Sequence, residues 1–263
     1  MTSTHLAHLR ASRSSVGTWL SIGSPIIAEL AAECGFDWLL FDLEHGCSSE
    51  AALIGNLQAI RGTSTVSVVR VGAPHPDLIL RVLDWGAEGI MMPRVESEEE
   101  AEACVQAVHY PPRGHRGFSR SGRAYGYGVR TLSDNELPRP LFIAQIETLA
   151  GVRHARAIAR VDGVDMLFVG PTDLNFDIRV RNESGGLSYE ECLQEVIAAV
   201  AEAGKSIGIL VRNIDEVTRL RGLGFNHFAI DSDLAILRNR YQHLLNFMGE
   251  ASVARSNGVA LNQ

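Results

Sequence analysis

At 263 residues and 46% hydrophobic, the chain can bury a sizeable core and suits either one large α/β barrel or two small domains. Its formal net charge of −7 argues against nucleic acid or an anionic membrane as the main partner, since both favour a net basic surface. The opening MTSTHLAHLRASRSS lacks the apolar stretch of a secretory signal, and no later apolar run reaches the ~18 residues a membrane span needs, so a soluble cytoplasmic protein is expected.

Short apolar runs alternate with helical-period stripes from end to end, with no linker or charge block to mark a boundary. A single domain over 1–263 is the simpler reading, with short flexible tails over about 1–14 and 250–263. The first run, Val16 to Leu20, is followed by Ser24-Pro25, an N-cap with a first-turn proline, and by Ile26, Ile27, Leu30 and Ala31 at helical spacing up to Gly35. Runs follow at Trp38 to Asp42, Val66 to Arg70 and Gly89 to Met92, with Gly62 and Gly86 placed to end the helices between them. Ser97-x-x-Glu100 reads as a capping box ahead of Ala101, Cys104, Val105 and Val108. Further runs lie at Leu141 to Ile146 and Met166 to Gly170. A second capping box, Ser188-x-x-Glu191, opens a stripe of Leu193, Val196, Ile197 and Val200 that should stop at Gly204. The last two runs, Ile207 to Val211 and His227 to Ile230, flank a helix expected to stop at Gly222, and a helical pattern continues from Asp231 to Gly249.

Eight short runs, apolar on both faces as covered parallel strands should be, predict a (β/α)8 TIM barrel. A doubly wound sheet usually has fewer strands and a Gly-rich first turn, and no GxGxxG follows the first run. Cys34, Cys47, Cys104 and Cys192 show no CxxC spacing, which supports neither a zinc site nor a disulfide framework and leaves them as reduced, mostly core, thiols.

In such a barrel chemistry belongs to the carboxyl ends of the strands. The second run ends at Asp42, with Glu44 and His45 just beyond; the third ends at Arg70; the fifth leads through Gln145 to Glu147; the sixth runs into Gly170-Pro171-Thr172-Asp173. Residues i and i+2 share a strand face, so Gln145 and Glu147 can both reach the mouth. Glu147 and Asp173 on neighbouring strands offer hard oxygen ligands with room for water, suited to Mg²⁺ or Mn²⁺ rather than zinc; the cofactor expected is a divalent cation, Mg²⁺ or Mn²⁺, with Co²⁺ a further option. The competing role for Asp173 is a helix cap. His45 has Asp42 three residues before it, and Asp84 ends the third helical unit. A carboxylate on one imidazole nitrogen would fix its tautomer and raise the basicity of the other.

The segment Tyr110 to Arg130 spaces Arg113, Arg116, Arg120, Arg123 and Arg130 with glycines. An RG-type nucleic-acid tract does not suit an acidic barrel protein; a subunit contact, or a lid recognising an acidic acceptor, is expected instead.

Trp19, GFDWLLFDLEHG, VVRV around Arg70, YPPRGHRG, QIET and GPTDL, in this order and spacing, resemble the metal-dependent class II pyruvate aldolase family, typified by 4-hydroxy-2-oxoheptanedioate aldolase and the 2-keto-3-deoxy-sugar-acid aldolases, over roughly residues 16 to 245. The resemblance implies that Glu147 and Asp173 bind a divalent ion, and that Gln145, Trp19 and the backbone N–H groups of Thr172 and Asp173 contact a 2-oxo acid. It implies further that Arg70 stabilises an enolate oxygen, while His45, supported by Asp42 and Asp84, moves the 4-hydroxyl proton in a reversible cleavage to pyruvate and an aldehyde. A homo-oligomer, a hexamer built as a trimer of dimers, is implied as well. The only lysine, Lys205, precedes the seventh run and should lie at the opposite rim, which argues against Schiff-base chemistry.

After GPTDL the family commonly continues with Ser and a Gly-containing turn, whereas here Asn175 to Glu191 reads as a loop of its own, which opens the identity of the electrophile. Two other functions stand beside the aldolase: an enolate condensation or decarboxylation using oxaloacetate, with an acyl-CoA as electrophile, and a barrel that only binds a ligand. The presence of Asp42, His45, Arg70, Glu147 and Asp173 speaks against the last.

Overall fold

The computed structural model describes residues 4–11, 14–130, 137–181 and 186–259. Eight parallel strands close in chain order: β1 (Ser15–Leu20), β2 (Trp38–Asp42), β3 (Val66–Arg70), β4 (Gly89–Met92), β5 (Leu141–Ile146), β6 (Met166–Val169), β7 (Ser206–Val211) and β8 (His227–Ser232), the last pairing back onto β1. Helix α1 (Thr4–Arg10) precedes the barrel. Outside it lie α2 (Pro25–Glu33), α3 (Glu50–Ala59), α4 (Pro76–Asp84), α5 (Glu98–Val108), α6 (Leu149–Arg160), α7 (Pro171–Arg181), α8 (Tyr189–Ala203), α9 (Glu216–Leu223) and α10 (Asp233–Val259). The single-domain (β/α)8 barrel expected from the eight apolar runs is the fold observed.

Strand side chains alternate between two cores. Outward residues such as Leu39, Phe41, Ile90, Phe142 and Leu167 pack beneath the helices. Inward residues, among them Trp38, Leu40, Val66, Val68, Leu141, Ile143 and Phe168, fill the barrel itself. Register pairs large rings with glycines: Trp38 lies opposite Gly17 and Phe168 opposite Gly208, and a Cβ on either glycine would enter the facing ring. The same inward phase, continued to the carboxyl ends, turns polar. Asp42 follows Trp38 and Leu40, Arg70 follows Val66 and Val68, and Gln145 and Glu147 follow Leu141 and Ile143.

The expected amino-terminal tail does not hold for Thr4–Arg10, because an open barrel floor would leave the inner layer wet. Leu6 and Leu9 of α1 are buried in the interior cluster, and Arg10 ties the helix down through Asp165, with Nε 3.0 Å from Oδ1. At the other end α10 continues past residue 250 to Val259. Of the caps, α8 has the full box, whereas at α5 only Ser97 accepts from the Glu100 N–H, and the Glu100 carboxylate instead accepts from the Glu96 N–H. Gly222 lies inside α9; the helix stops at Gly224, whose φ of +119° needs a residue without a side chain. Asn175 to Arg181, expected as loop, is the body of α7. Residues 182–185 of that stretch lie outside the described ones. Cys104 and Cys192 are core thiols, but Cys34 and Cys47 are exposed.

The arginine-rich segment connects α5 to β5 and therefore lies at the amino-terminal end of the barrel. Arg123 donates to the carbonyls of Trp85 and Leu57, Arg116 pairs with Asp84, and Arg113 pairs with Asp162. It cannot be a lid over the mouth of its own barrel, which corrects that expectation. Among the described residues no helix is long and apolar enough to cross a membrane.

Two histidines are sealed into this frame. The Ser15–His227 register brings Ser15 Oγ 2.6 Å from His227 Nδ1 inside the barrel, and burial pushes His227 down from an ordinary 6.5 to about 4. Burial does the same to His109, which also falls to about 4. A depressed histidine contributes stability in full above its unfolded pKa and loses it as pH falls, because the unfolded chain takes up the proton first. The melting temperature should therefore drop between pH 6.5 and 4, and His227→Asn should flatten part of that slope in thermal denaturation across the range.

Candidate active site

A cavity of about 320 Å³ opens at the carboxyl ends of the strands, walled in part by Trp19, Asp42, His45, Arg70, Gln145 and Asp173. A cavity of about 280 Å³ at the other end, near Arg61, Glu88 and Arg123, holds none of the predicted groups.

The mouth is organised by Arg70. Register sets Asp42 beside it, and the two form a bidentate pair, Nε to Oδ1 at 2.9 Å and Nη2 to Oδ2 at 2.6 Å, both side chains almost wholly buried. Burial pushes Asp42 up, but the Arg70 bonds and charge, with the Glu44 and His45 N–H groups, outweigh it and hold the carboxyl below its usual range. The Trp19 indole N–H adds a longer bond to Asp42 Oδ2 at 3.3 Å, and its ring lies under the Arg70 guanidinium. Glu44 Oε2 sits 3.0 Å from Arg70 Nη1 as an ion pair without hydrogen-bond alignment, while its other oxygen lies 3.6 Å from His45 Nε2. Burial, with the charges of Asp42 and Asp173, raises Glu44 despite the Arg70 guanidinium.

The structure thus separates His45 from its expected supports. Asp42 receives the His45 backbone N–H, not the imidazole, which is 70% exposed and faces Glu44. Asp84 ends α4, and a βα unit returns its helix to the amino-terminal end of the barrel, where Asp84 Oδ1 takes Arg116 Nη2 at 2.6 Å. Within this chain Asp84 does not reach His45.

Glu147 lies beneath the cavity wall, 4% exposed. Its Oε1 accepts the Arg94 backbone N–H at 3.0 Å, with Arg94 held at a φ of +50°, while Oε2 is buried without a partner, as is Gln145 Oε1. Burial, then the charges of Asp173 and Glu44, push Glu147 up to about 7. A Cβ on Gly170 would lie 2.7 Å from Glu147 Oε2, so the glycine leaves room for that carboxylate. Thr172 and Asp173 are exposed in the first turn of α7, where N–H groups have no helical acceptor. Among the described residues no three His, Cys, Asp or Glu side chains cluster closely enough to hold an ion by themselves. The orphaned Glu147 oxygen, with Asp173 nearby, nevertheless fits a hard divalent cation whose remaining positions are taken by water or a ligand. Mg²⁺ and Mn²⁺ suit such donors; a thiol- or imidazole-seeking ion does not.

Residues assigned no role from the sequence complete the mouth. Glu44 joins Arg70 to His45, and Asp233 accepts the Ser21 and Ile22 N–H groups, fixing the loop after β1. Arg212 and Ser232 line the wall at the ends of β7 and β8, where listing strand ends beyond the sixth would have found them.

Residues 15–240 match the HpcH/HpaI aldolase/citrate lyase family. A pyruvate aldolase of Rhizobium etli is 35% identical over 233 residues, 87% of this chain and 91% of its own length. A 5-keto-4-deoxy-D-glucarate aldolase of Salmonella paratyphi C is 36% identical over 239 residues, 90% of this chain and 93% of its own. The crystal structure of an HpcH/HpaI aldolase/citrate lyase family protein from Burkholderia cenocepacia superimposes with a TM-score of 0.86 at 31% identity, covering 94% of this chain and 99% of that one. These matches agree with the resemblance read from the motifs.

Gly170→Ala tests the Glu147 pocket. The added methyl should displace the carboxylate and lower Mn²⁺ affinity by roughly 10- to 100-fold in calorimetric titration, with the circular-dichroism spectrum unchanged. Unaltered affinity would remove Glu147 from the ligand set.

Proposed function

The chain belongs to the HpcH/HpaI aldolase/citrate lyase family and is a carbon–carbon lyase, and from that premise we propose that it is a divalent-metal-dependent aldolase, cleaving a 4-hydroxy-2-oxo acid reversibly to pyruvate and an aldehyde. One observation carries the metal dependence: Glu147, buried with an oxygen lacking any partner and raised to about 7 in the company of Asp173, is an acid that a cation would complete.

Glu147 and Asp173 would hold Mg²⁺ or Mn²⁺. When bound, the ion supplies Lewis acidity toward the 2-oxo acid's carbonyl. Gln145 orients that acid, with Trp19 as the apolar wall, and the Thr172 and Asp173 N–H groups receive its carboxylate at the start of α7. Arg70 has five N–H donors; three face Asp42 and Glu44, which leaves two for an oxygen on which charge develops. Asp42 acts by fixing the plane of that guanidinium.

In cleavage His45 accepts the 4-hydroxyl proton, the C3–C4 bond breaks, C4 becomes the aldehyde carbonyl and the electron pair passes to C3 as the enolate. Protonation of C3 then gives pyruvate. Within one chain Glu44 is the carboxylate that faces the imidazole, and in this reading it steadies the imidazolium in place of Asp42. The imine route lacks its amine, because Lys205 precedes β7 and bonds the Val164 carbonyl at the opposite rim. A cytoplasmic homo-oligomer belongs to the same proposal; apolar residues that α10 leaves exposed, such as Leu245 and Phe247, support self-association.

Exchange of pyruvate methyl protons for deuterium, followed by NMR, tests enolate formation without knowledge of the acceptor. Exchange should require Mg²⁺ or Mn²⁺ and stop with EDTA; metal-independent exchange, or none with pyruvate bound, would sink the proposal. Glu147→Gln should weaken metal binding, whereas His45→Ala should keep it and slow aldol cleavage by roughly 10²- to 10⁴-fold. Equal loss of metal in both variants would contradict these roles.

A further inference from the structure

Two arginines line the mouth, and they are in opposite states. Arg70 is buried and committed to Asp42 and Glu44. Arg212, which follows Gly208 and Leu210 in the inward phase of β7, has a side chain 55% exposed. Its facing carboxylate is Asp231, at 3.6 Å, too far for a hydrogen bond. Asp231 Oδ1 already accepts the Ser232 N–H at 2.9 Å, within a left-handed turn at φ +56° that places Ser232 on the same wall. An arginine steadied by charge, with its planar fork of donors free, is the residue that receives a carboxylate or phosphate in two parallel bonds.

We propose that Arg212 sets acceptor specificity, recognising an anionic group, a carboxylate or a phosphate, carried by the aldehyde. The inference rests on the aldolase reading. A 2-oxo acid held by Gln145, Thr172 and Asp173 leaves the β7–β8 wall and the open side of the cavity to the rest of the substrate, and Arg212 is the cation there. The C–C bond joins C3 of the pyruvate enolate to the aldehyde carbon, whose oxygen becomes the 4-hydroxyl, so the anionic group remains unreacted and serves for binding alone.

The test condenses pyruvate with succinic semialdehyde, with glyceraldehyde 3-phosphate and with neutral butanal and glyceraldehyde, using the intact chain, Arg212→Ala and Arg212→Lys. In the natural chain, at least one anionic aldehyde should exceed its neutral counterpart in kcat/KM. Arg212→Ala should lower that value by roughly 10- to 100-fold while leaving the neutral aldehydes within about threefold, and Arg212→Lys should restore part of the loss. The carboxylate and phosphate arms identify which anion is read. Equal loss for charged and neutral aldehydes, a rise in pyruvate KM instead, or no preference in the natural chain overturns the assignment. Methyl-proton exchange separates the failures: it should be unchanged in both variants, and its absence from the natural chain would end the aldolase reading and this one with it.

Discussion

The mouth of this barrel carries more buried acid than buried base. Asp42, Glu44 and Glu147 are withdrawn from water around the buried guanidinium of Arg70, and Asp173 adds its charge from the wall. Arg70 offsets the desolvation of Asp42 by two aligned bonds and only part of that of Glu44, and it leaves Glu147 raised and with an unpartnered oxygen. Desolvated anions cost several kcal/mol unless paired, so a fold that keeps such an excess keeps it for a cation or a ligand. The imbalance is where the chemistry comes from.

Backbone geometry maintains it. Arg94 sits at positive φ, where a residue with a side chain is disfavoured, and its N–H is thereby aimed at Glu147. Gly170 allows the strand to approach that carboxylate. Asp233 spends both oxygens on backbone N–H groups after β1, holding the loop from which Ser21 faces the cavity. From below, α1 closes the floor with Leu6 and Leu9, which pack into the apolar cluster inside the barrel.

Much of this was legible in the residues. Parallel strands covered on both faces are apolar without interruption, so all eight could be placed to within two residues of their ends. Alternation then put Asp42, Arg70, Gln145 and Glu147 on the inward face. What failed were inferences that needed the direction of the chain. Asp84 lies close in sequence to the next strand but ends a helix, and helix ends and strand ends lie on opposite faces of a βα unit; the arginine segment after α5 misled for the same reason. The α1 plug rests on two leucines in seven residues, too few to show a period. Glu44 was visible beside Asp42 and His45, but only the geometry shows that its two oxygens face different partners.

The two ends of the barrel use arginine for different purposes, and the difference follows from what surrounds each one. At the floor Arg10, Arg116 and Arg123 bind carbonyls and acids of their own chain and tie connections together. At the mouth Arg70 is buried by its partners, while Arg212 remains open. A guanidinium stays charged at every physiological pH and cannot form an imine, so arginines at a catalytic mouth act through charge and geometry alone. With no lysine among them, a negative charge developing on substrate there must be met by a fixed cation or a bound one, and the chain's own acids mark where the bound one belongs.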